Sequence, residues 1–463
     1  MDKWARELGP IYQISFGSRE YVVLNNAEVV RDMLEVRGQY NSDRNPNHII
    51  NLMSADGSLF AWGDDNAYLR QCRRLLLGSV SKSAIEKKYP ELHNKETFEF
   101  LQNMYKHGTQ PQGCKALHYS YLYTINLTMD FMYGHHFDTF DDPAYRELHR
   151  MAGDFAEAVN YLLIEYPQSI YFMLGRLKKM AKHVQDEFQR ILGGYNALMR
   201  EAVANGREID CTYTFSLLSQ SAERNTVSGL MYDMVQAQEK EGLTEIDLGN
   251  LAANILVAAV DTTAVSMQNL FLILVNRPDI QRKVQDELDR VVGDRMPTDQ
   301  DLKDLPYVEA VTTELLRFRP PLFLNMAHSA RERQVYRGYE IPEGVGIFHN
   351  IYSTNFEEAI YPNPEVFNPD RFYKPENPVQ REHWTFGAGR RLCPGNQFAE
   401  KSLLLTTARV LWAFDLVHPR DANGDKIDVP MSEIVQPFPQ PPDVNITFVP
   451  RHANLAEQLH LSS

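Results

Sequence analysis

Apolar and polar residues alternate along Ile11–Phe16 and Tyr21–Leu24, with Gly17-Ser18-Arg19-Glu20 between them, a pattern that predicts a small β-hairpin. From about Ala27 to Arg290 the spacing becomes helical, with breaks at Gly108–Gly113 and Gly206–Cys211. The clearest element runs from Thr244 to Asn276: Thr244 and Asp247 form a capping-box pattern at its start, and Pro278 marks its end. A rod of that length spans roughly 45–50 Å, enough to cross a whole domain. Its middle, Leu251–Val260, is apolar nearly all round and is expected to be buried on every face. After Pro320–Pro321 short strands are predicted at Tyr336–Ile341 and Gly346–His349. A proline-punctuated stretch, Tyr361–Pro378, shows little period, and so long a loop in a compact domain usually has a function. A last helix follows Cys393, and the tail from Asp421 reads as hairpins. The fold class is therefore mainly α with a minor β-sheet region. There is no internal repeat.

Length alone would allow two or three domains in 463 residues, but one large cofactor-centred domain also fits. The reading adopted is one domain over 1–463, with a β-rich part near 11–25 and 335–350. A net charge of −14 argues against a nucleic-acid partner. The four cysteines, Cys72, Cys114, Cys211 and Cys393, are too few and too scattered for a disulfide framework or a zinc knuckle. The adjacent pair His135–His136 has no second metal-binding motif beside it. No apolar run approaches the ~18–20 residues of a membrane span, and no secretory signal is visible, so the chain as given reads as soluble.

Four local patterns carry candidate chemistry. Phe386-Gly387-Ala388-Gly389-Arg390-Arg391-Leu392-Cys393-Pro394-Gly395 places three glycines around one cysteine, so the backbone can wrap closely around its sulfur. Pro394 suits a first helical turn, which would put Cys393 at a helix N-terminus where N–H groups stabilise a thiolate. Arg390 and Arg391 add positive charge suited to a carboxylate. A glycine-rich turn holding an ordinary buried cysteine is the alternative. Glu314 and Arg317 share a helix face, which alone means little more than a surface ion pair. Pro369-Asp370-Arg371-Phe372 lies in the long irregular stretch. Finally, Ala258-Ala259-Val260-Asp261-Thr262-Thr263 places a carboxylate and two hydroxyls inside an apolar helix, where they are costly unless used. The alternative there is that the threonines bond back to carbonyls one turn earlier.

Taken together the four patterns resemble the cytochrome P-450 family. Residues 386–395 match its haem-binding loop F-x-x-G-x-R-x-C-x-G at each fixed position, and Ala399 sits where the family often has alanine. Glu314-Leu315-Leu316-Arg317 is similar to its E-x-x-R element. Pro369–Phe372 is similar to P-E-R-F with aspartate for glutamate, and 258–263 resembles its oxygen-binding helix with Ala259 in place of glycine. Weaker likenesses are Leu69-Arg70-Gln71-Cys72-Arg73, with leucine where W-R-x-x-R has tryptophan, and His328 at a propionate-binding position.

The resemblance implies a triangular, helix-rich prism enclosing haem b, with Cys393 as the thiolate ligand of the iron. It implies cofactor contacts from Phe386, Gly387, Arg391, Arg73, His328, Ala258 and Ala259, and a structural network of Glu314, Arg317 and Arg371. Asp261 and Thr262 would relay protons during dioxygen activation. The expected reaction is hydroxylation or other oxidation of a hydrophobic or aromatic small molecule, a specialised metabolite. Its pocket is expected among Met53–Trp62, Ala258, Val260, Leu322–Leu324 and Val435–Phe438. Electrons would come from an NADPH-dependent flavin reductase docking on Arg73, Arg74, Lys82, Lys87, Lys88 and Arg390 of a monomer. The family further implies attachment to the cytosolic face of the endoplasmic reticulum, through an anchor removed from this chain unless it is a natively soluble member. Three alternatives remain open: oxidative coupling or ring closure without oxygen insertion, isomerase or dehydratase chemistry on a peroxide, and a non-catalytic haem carrier or sensor. The Asp261-Thr262 pair argues against the peroxide route.

Overall fold

The structure is a computed structural model that describes residues 2–16, 19–44, 59, 61–89, 91–162, 175–204, 229–373, 383–431 and 438–461. Helix predominates. The longer helices are α1 (Ala67–Val80), α2 (Leu92–Gly108), α3 (Ala116–Tyr133), α4 (Pro143–Leu162), α5 (Gly175–Ala204), α6 (Leu230–Glu241), α7 (Glu245–Asn276), α8 (Pro278–Val291), α9 (Pro306–Phe318) and α10 (Asn396–Ala413).

The 32-residue α7 is the spine. Its start is a complete capping box: Thr244 Oγ1 accepts the Asp247 N–H at 3.2 Å, and Asp247 Oδ2 accepts the Thr244 N–H at 2.7 Å. Pro278 opens α8 directly after it. By length and composition α7 could cross a membrane, but it is mostly buried inside the protein, chiefly against α3 and α5. Burial is not uniform, however. Ala258 is exposed and Ala259 half-buried, because both border a cavity.

The strands of the described residues form three small sheets. The largest has the order β1-β2-β8-β5-β3, with β1 Ile11–Phe16, β2 Arg19–Leu24, β3 Asp43–Arg44, β5 His328–Ser329 and β8 Gly346–His349. The hairpin read from the sequence is β1–β2, and β8 joins β2 in parallel. The two-residue strands β3 and β5 carry no legible periodicity. They pair antiparallel so that Arg44 lies opposite His328. A separate hairpin joins β6 (Gln334–Tyr336) to β7 (Tyr339–Ile341) through Arg337 and Gly338, both at positive φ. The tail expected as hairpins opens with one tight antiparallel turn, Arg420 bridging Lys426. Its strand β10 (Asn445–Pro450) pairs with β4 (Cys114–Lys115) and β9 (Phe414–Val417), each supplied by an earlier part of the chain.

Glu314 and Arg317 on α9 are fully buried, not a surface pair, and are joined through Nε at 2.7 Å and Nη2 at 2.8 Å. Glu314 also accepts from the Asn368 N–H and from Arg371 Nε, so α9 is clamped to the irregular stretch. Arg317 Nη1 donates to the Asn355 carbonyl, and the Asn355 side chain accepts the Trp384 N–H at 2.7 Å. This chain of bonds ends at the start of the cysteine loop.

Candidate active site

The cysteine loop closes on itself. The Gly387 N–H donates to the Trp384 carbonyl and the Cys393 N–H to the Phe386 carbonyl, both at 2.9 Å. Gly387 and Gly389 have φ of 76° and 61°. At Gly389 a Cβ would also collide with the Leu34 carbonyl oxygen, so glycine is required twice over. Gly395 has an ordinary φ of −91° and is the N-cap of α10. Pro394 and Cys393 therefore precede the helix, and Pro394 does not occupy its first turn as the sequence suggested. The Gly395 N–H still reaches the Cys393 sulfur and, with Arg73, favours the thiolate, but burial outweighs them and pushes the thiol up. A metal cation at the sulfur would displace that proton.

Cys393 lines a cavity of about 370 Å³, the size of a cofactor or small-molecule site. Phe386, Gly387, Arg73, Arg391, His328, Ala258, Ala259, Asp261 and Thr262 line it too, so the structure brings these sequence candidates together. Three guanidinium groups face one another here. Arg73 Nη2 donates to the Leu392 carbonyl at 2.8 Å, Arg391 Nε to that of Ser42 at 2.8 Å, and Arg44 Nη1 to that of Met326 at 2.7 Å. None has a carboxylate within ion-pairing distance among the described residues. Burial and mutual repulsion lower the Arg44 pKa well below its usual value, and burial is the main cause of lower values at Arg73 and at Arg391, the latter to about 10. His328 donates Nδ1–H to the Asn41 carbonyl at 2.7 Å and is held neutral by burial and by Arg44. Cations gathered in a pocket with no ion-pairing carboxylate among the described residues, and with the longer-range pull of Asp65 on Arg73 and Arg391, call for an anionic ligand, and a group carrying two carboxylates beside a metal that takes thiolate fits this donor set. Arg44 escaped the sequence reading because its role comes only from the β3–β5 register. Arg390, by contrast, turns away to Asp65 at 3.0 Å.

Asp261 is buried, and burial pushes its carboxyl up to about 7 despite the nearby Tyr121 hydroxyl, which lowers it. Tyr121 has no sequence motif and was not foreseen. Thr262 Oγ1 donates to the Ala258 carbonyl at 2.7 Å, so the bond one turn back does form. Leu69 is buried in the cavity wall, and the aromatic side chains there come from elsewhere, Trp62, Phe131, Phe155, Phe386, Phe398 and Phe438. Most of Met53–Trp62 and residues 435–437 lie outside the described residues. Leu322 lines the cavity. Val260 and Leu324 do not, Val260 being packed into the core on the other side of α7. Asn325, unforeseen, accepts the His349 N–H through Oδ1 at 2.7 Å, while its buried Nδ2 makes no hydrogen bond.

Of the six cations expected as a basic docking face, Arg74 pairs with Glu241 at 2.6 Å, Lys88 with Asp233 at 2.5 Å and Arg390 with Asp65, Arg73 points into the cavity, and Lys82 and Lys87 make no ion pair among the described residues. His136 lies within ligating distance of Glu96 and Glu99. Its ring nitrogens meet those carboxylates at 3.1 and 2.6 Å, and the pair outweighs burial to raise its pKa to about 9. This is an imidazolium held by two acids, with Lys95 alongside. No ligating nitrogen is spare.

A family model described as "Cytochrome P450" matches residues 1–442. Among curated relatives, cytochrome P450 monooxygenase 231 of Postia placenta is 28% identical, covering 92% of this chain and 80% of that protein. Cytochrome P450 monooxygenase virE of Hypocrea virens is 26% identical, covering 90% and 75%. A solved zebra fish cytochrome P450, with abiraterone, superposes with a TM-score of 0.75 at 22% identity, covering 97% of this chain and 98% of its own.

Proposed function

Because the chain belongs to the cytochrome P450 family, whose haem is ligated by a cysteine thiolate, we propose that Cys393 is that ligand and that Arg44, Arg73, Arg391 and His328 hold the propionates. The protein is a haem-dependent monooxygenase that uses dioxygen, a small-molecule substrate and a redox partner. One observation carries the residue assignment: the buried guanidiniums of Arg44 and Arg391 and the half-buried one of Arg73 share a cavity with Cys393, with no carboxylate in ion-pairing distance among the described residues. When bound, thiolate-ligated haem supplies dioxygen activation, the sulfur's electron density favouring O–O cleavage.

The chain's own residues do the rest. Phe386 and Gly387 border the sulfur, and Ala258 and Ala259 leave room along α7. Asp261 and Thr262 handle protons. A carboxyl poised near neutrality both takes and gives a proton at physiological pH. The Thr262 hydroxyl spends its own proton on the Ala258 carbonyl, leaving its oxygen to accept one from water. Glu314, Arg317 and Arg371 stiffen the frame behind the loop. The apolar walls exclude water and suit a hydrophobic or aromatic secondary metabolite, and the Asn325 Nδ2 suits an acceptor oxygen on it. The redox partner in this reading is an NADPH-dependent flavin reductase, met by a monomeric single domain at the cytosolic face of the endoplasmic reticulum.

The test is the reduced, carbon monoxide difference spectrum of wild type and Cys393→Ser. A strongly red-shifted Soret band that vanishes in the variant supports the assignment. A band typical of histidine ligation refutes it.

A further inference from the structure

Asp261 sits in the cavity wall, yet it also meets a second environment. From α3, the Tyr121 hydroxyl lies close enough to the Asp261 carboxyl to act on its pKa, holding it lower than burial alone would. The same hydroxyl lies 3.4 Å from Oε1 of Gln440, an exposed residue. The Tyr121 ring packs edge-on against His149 of α4 at 4.8 Å, with Tyr145 stacked on His149 beyond. Tyr121 thus stands where the interior meets the surface.

We propose that Tyr121 is a positioning residue for proton delivery, sharing one hydroxyl proton between the buried carboxyl of Asp261 and the surface carboxamide of Gln440. This rests on the reading of Asp261 and Thr262 as the proton relay. When Asp261 is ionised, the phenol donates to it. When Asp261 carries a proton, its O–H donates to the phenol oxygen, and the phenol turns its own proton to Gln440 Oε1. In one transfer a proton enters the phenol oxygen from solvent beside Gln440 and the original proton passes to Asp261. The phenol is neutral before and after, and no electrons move. Burial and the facing carboxylate hold the Tyr121 pKa far above neutrality, so it passes protons without holding charge.

The neighbourhood leaves Tyr121 in control. Among the described residues it is the titratable side chain that acts on Asp261. Tyr145 and His149 of α4 face Tyr121 and not Asp261, and burial and His118 keep His149 low. His118 and Lys115 are engaged by Asp443 at 3.2 and 2.7 Å.

The experiment is an infrared titration, across neutral pH, of the haem-loaded protein. The protonated-carboxyl stretch of Asp261 is identified by its loss in Asp261→Asn. Tyr121→Phe keeps the ring but removes the donor to the ionised form, so the midpoint moves up by roughly one pH unit. Gln440→Leu, at an exposed position, removes the competing acceptor, so the phenol stays on Asp261 and the midpoint moves down. Opposite shifts support the proposal. Midpoints that stay put, or that move the same way in both variants, overturn it. A separate arm measures hydrogen peroxide released per electron consumed. Asp261→Asn is expected to release several-fold more, and no increase would defeat the relay reading itself.

Discussion

Replacing Glu314 by glutamine removes one negative charge and almost no volume from the most deeply buried ion pair among the described residues. Glu314 and Arg317 have no solvent exposure, and Arg371 retains 10%. The carboxylate receives two bonds from Arg317 at 2.7 and 2.8 Å, the Asn368 N–H at 2.8 Å and Arg371 Nε at 3.2 Å. Glutamine leaves two guanidiniums facing a neutral amide, an uncompensated buried charge that costs about 3–5 kcal/mol. With an unfolding entropy of ~2 cal/mol/K per residue, a chain of this length gains about 1 kcal/mol per degree, so the melting temperature should fall by roughly 3–5 °C. Circular dichroism melts with haem bound read this directly. Lys283→Ala is the control: its bond to Asp370 joins two half-exposed side chains and is worth under about 1 kcal/mol. Equal melting temperatures for Glu314→Gln and Lys283→Ala would refute the view that this network, and not surface pairing, holds α9 behind the cysteine loop.

Arg44→Met should lower haem retention during gel filtration, whereas Arg390→Ala, whose side chain is held by Asp65 outside the cavity, should leave it near wild type. Gly389→Ala forces a side chain onto a φ of 61° and into the Leu34 carbonyl, so purified protein should carry less haem per chain, read from Soret absorbance against protein content. His136 is raised to about 9 from 6.5, so its contribution, roughly 3 kcal/mol, is complete below about 6.5 and lost as pH rises through about 9. His136→Gln should therefore flatten the alkaline limb of a melting-temperature profile. Asp261 is raised from 3.8 to about 7, so native protein holds a proton that unfolded chain releases, and stability falls as pH rises between those values. Asp261→Asn should melt higher than wild type at neutral pH, by thermal denaturation.

Family, fold class and the tight loop around Cys393 were legible in the sequence because local chemistry demands them. A capping box at Thr244, a proline after Asn276 and an apolar middle specify a long buried helix with no reference to the rest of the chain. Two glycines at positive φ and a cysteine specify a tight loop in the same way. What sequence misjudged were local contacts that neighbours redirect. Pro394 stops short of the helix, Arg390 turns to Asp65, and Arg74 and Lys88 of the basic face pair with Glu241 and Asp233.

Other features depend on residues far apart in sequence. Arg44 reaches the cavity only because two-residue strands, too short for any period, set it opposite His328 across 284 positions. Tyr121 gains its place beside Asp261 from the packing of α3 on α7, and Asn325 gains a fixed amide from the His349 N–H. Spacing along the chain determines what one element can be. Which side chains from separate elements share a low-dielectric pocket, and so which charges go uncompensated and which pKa values move, is decided only when the elements pack.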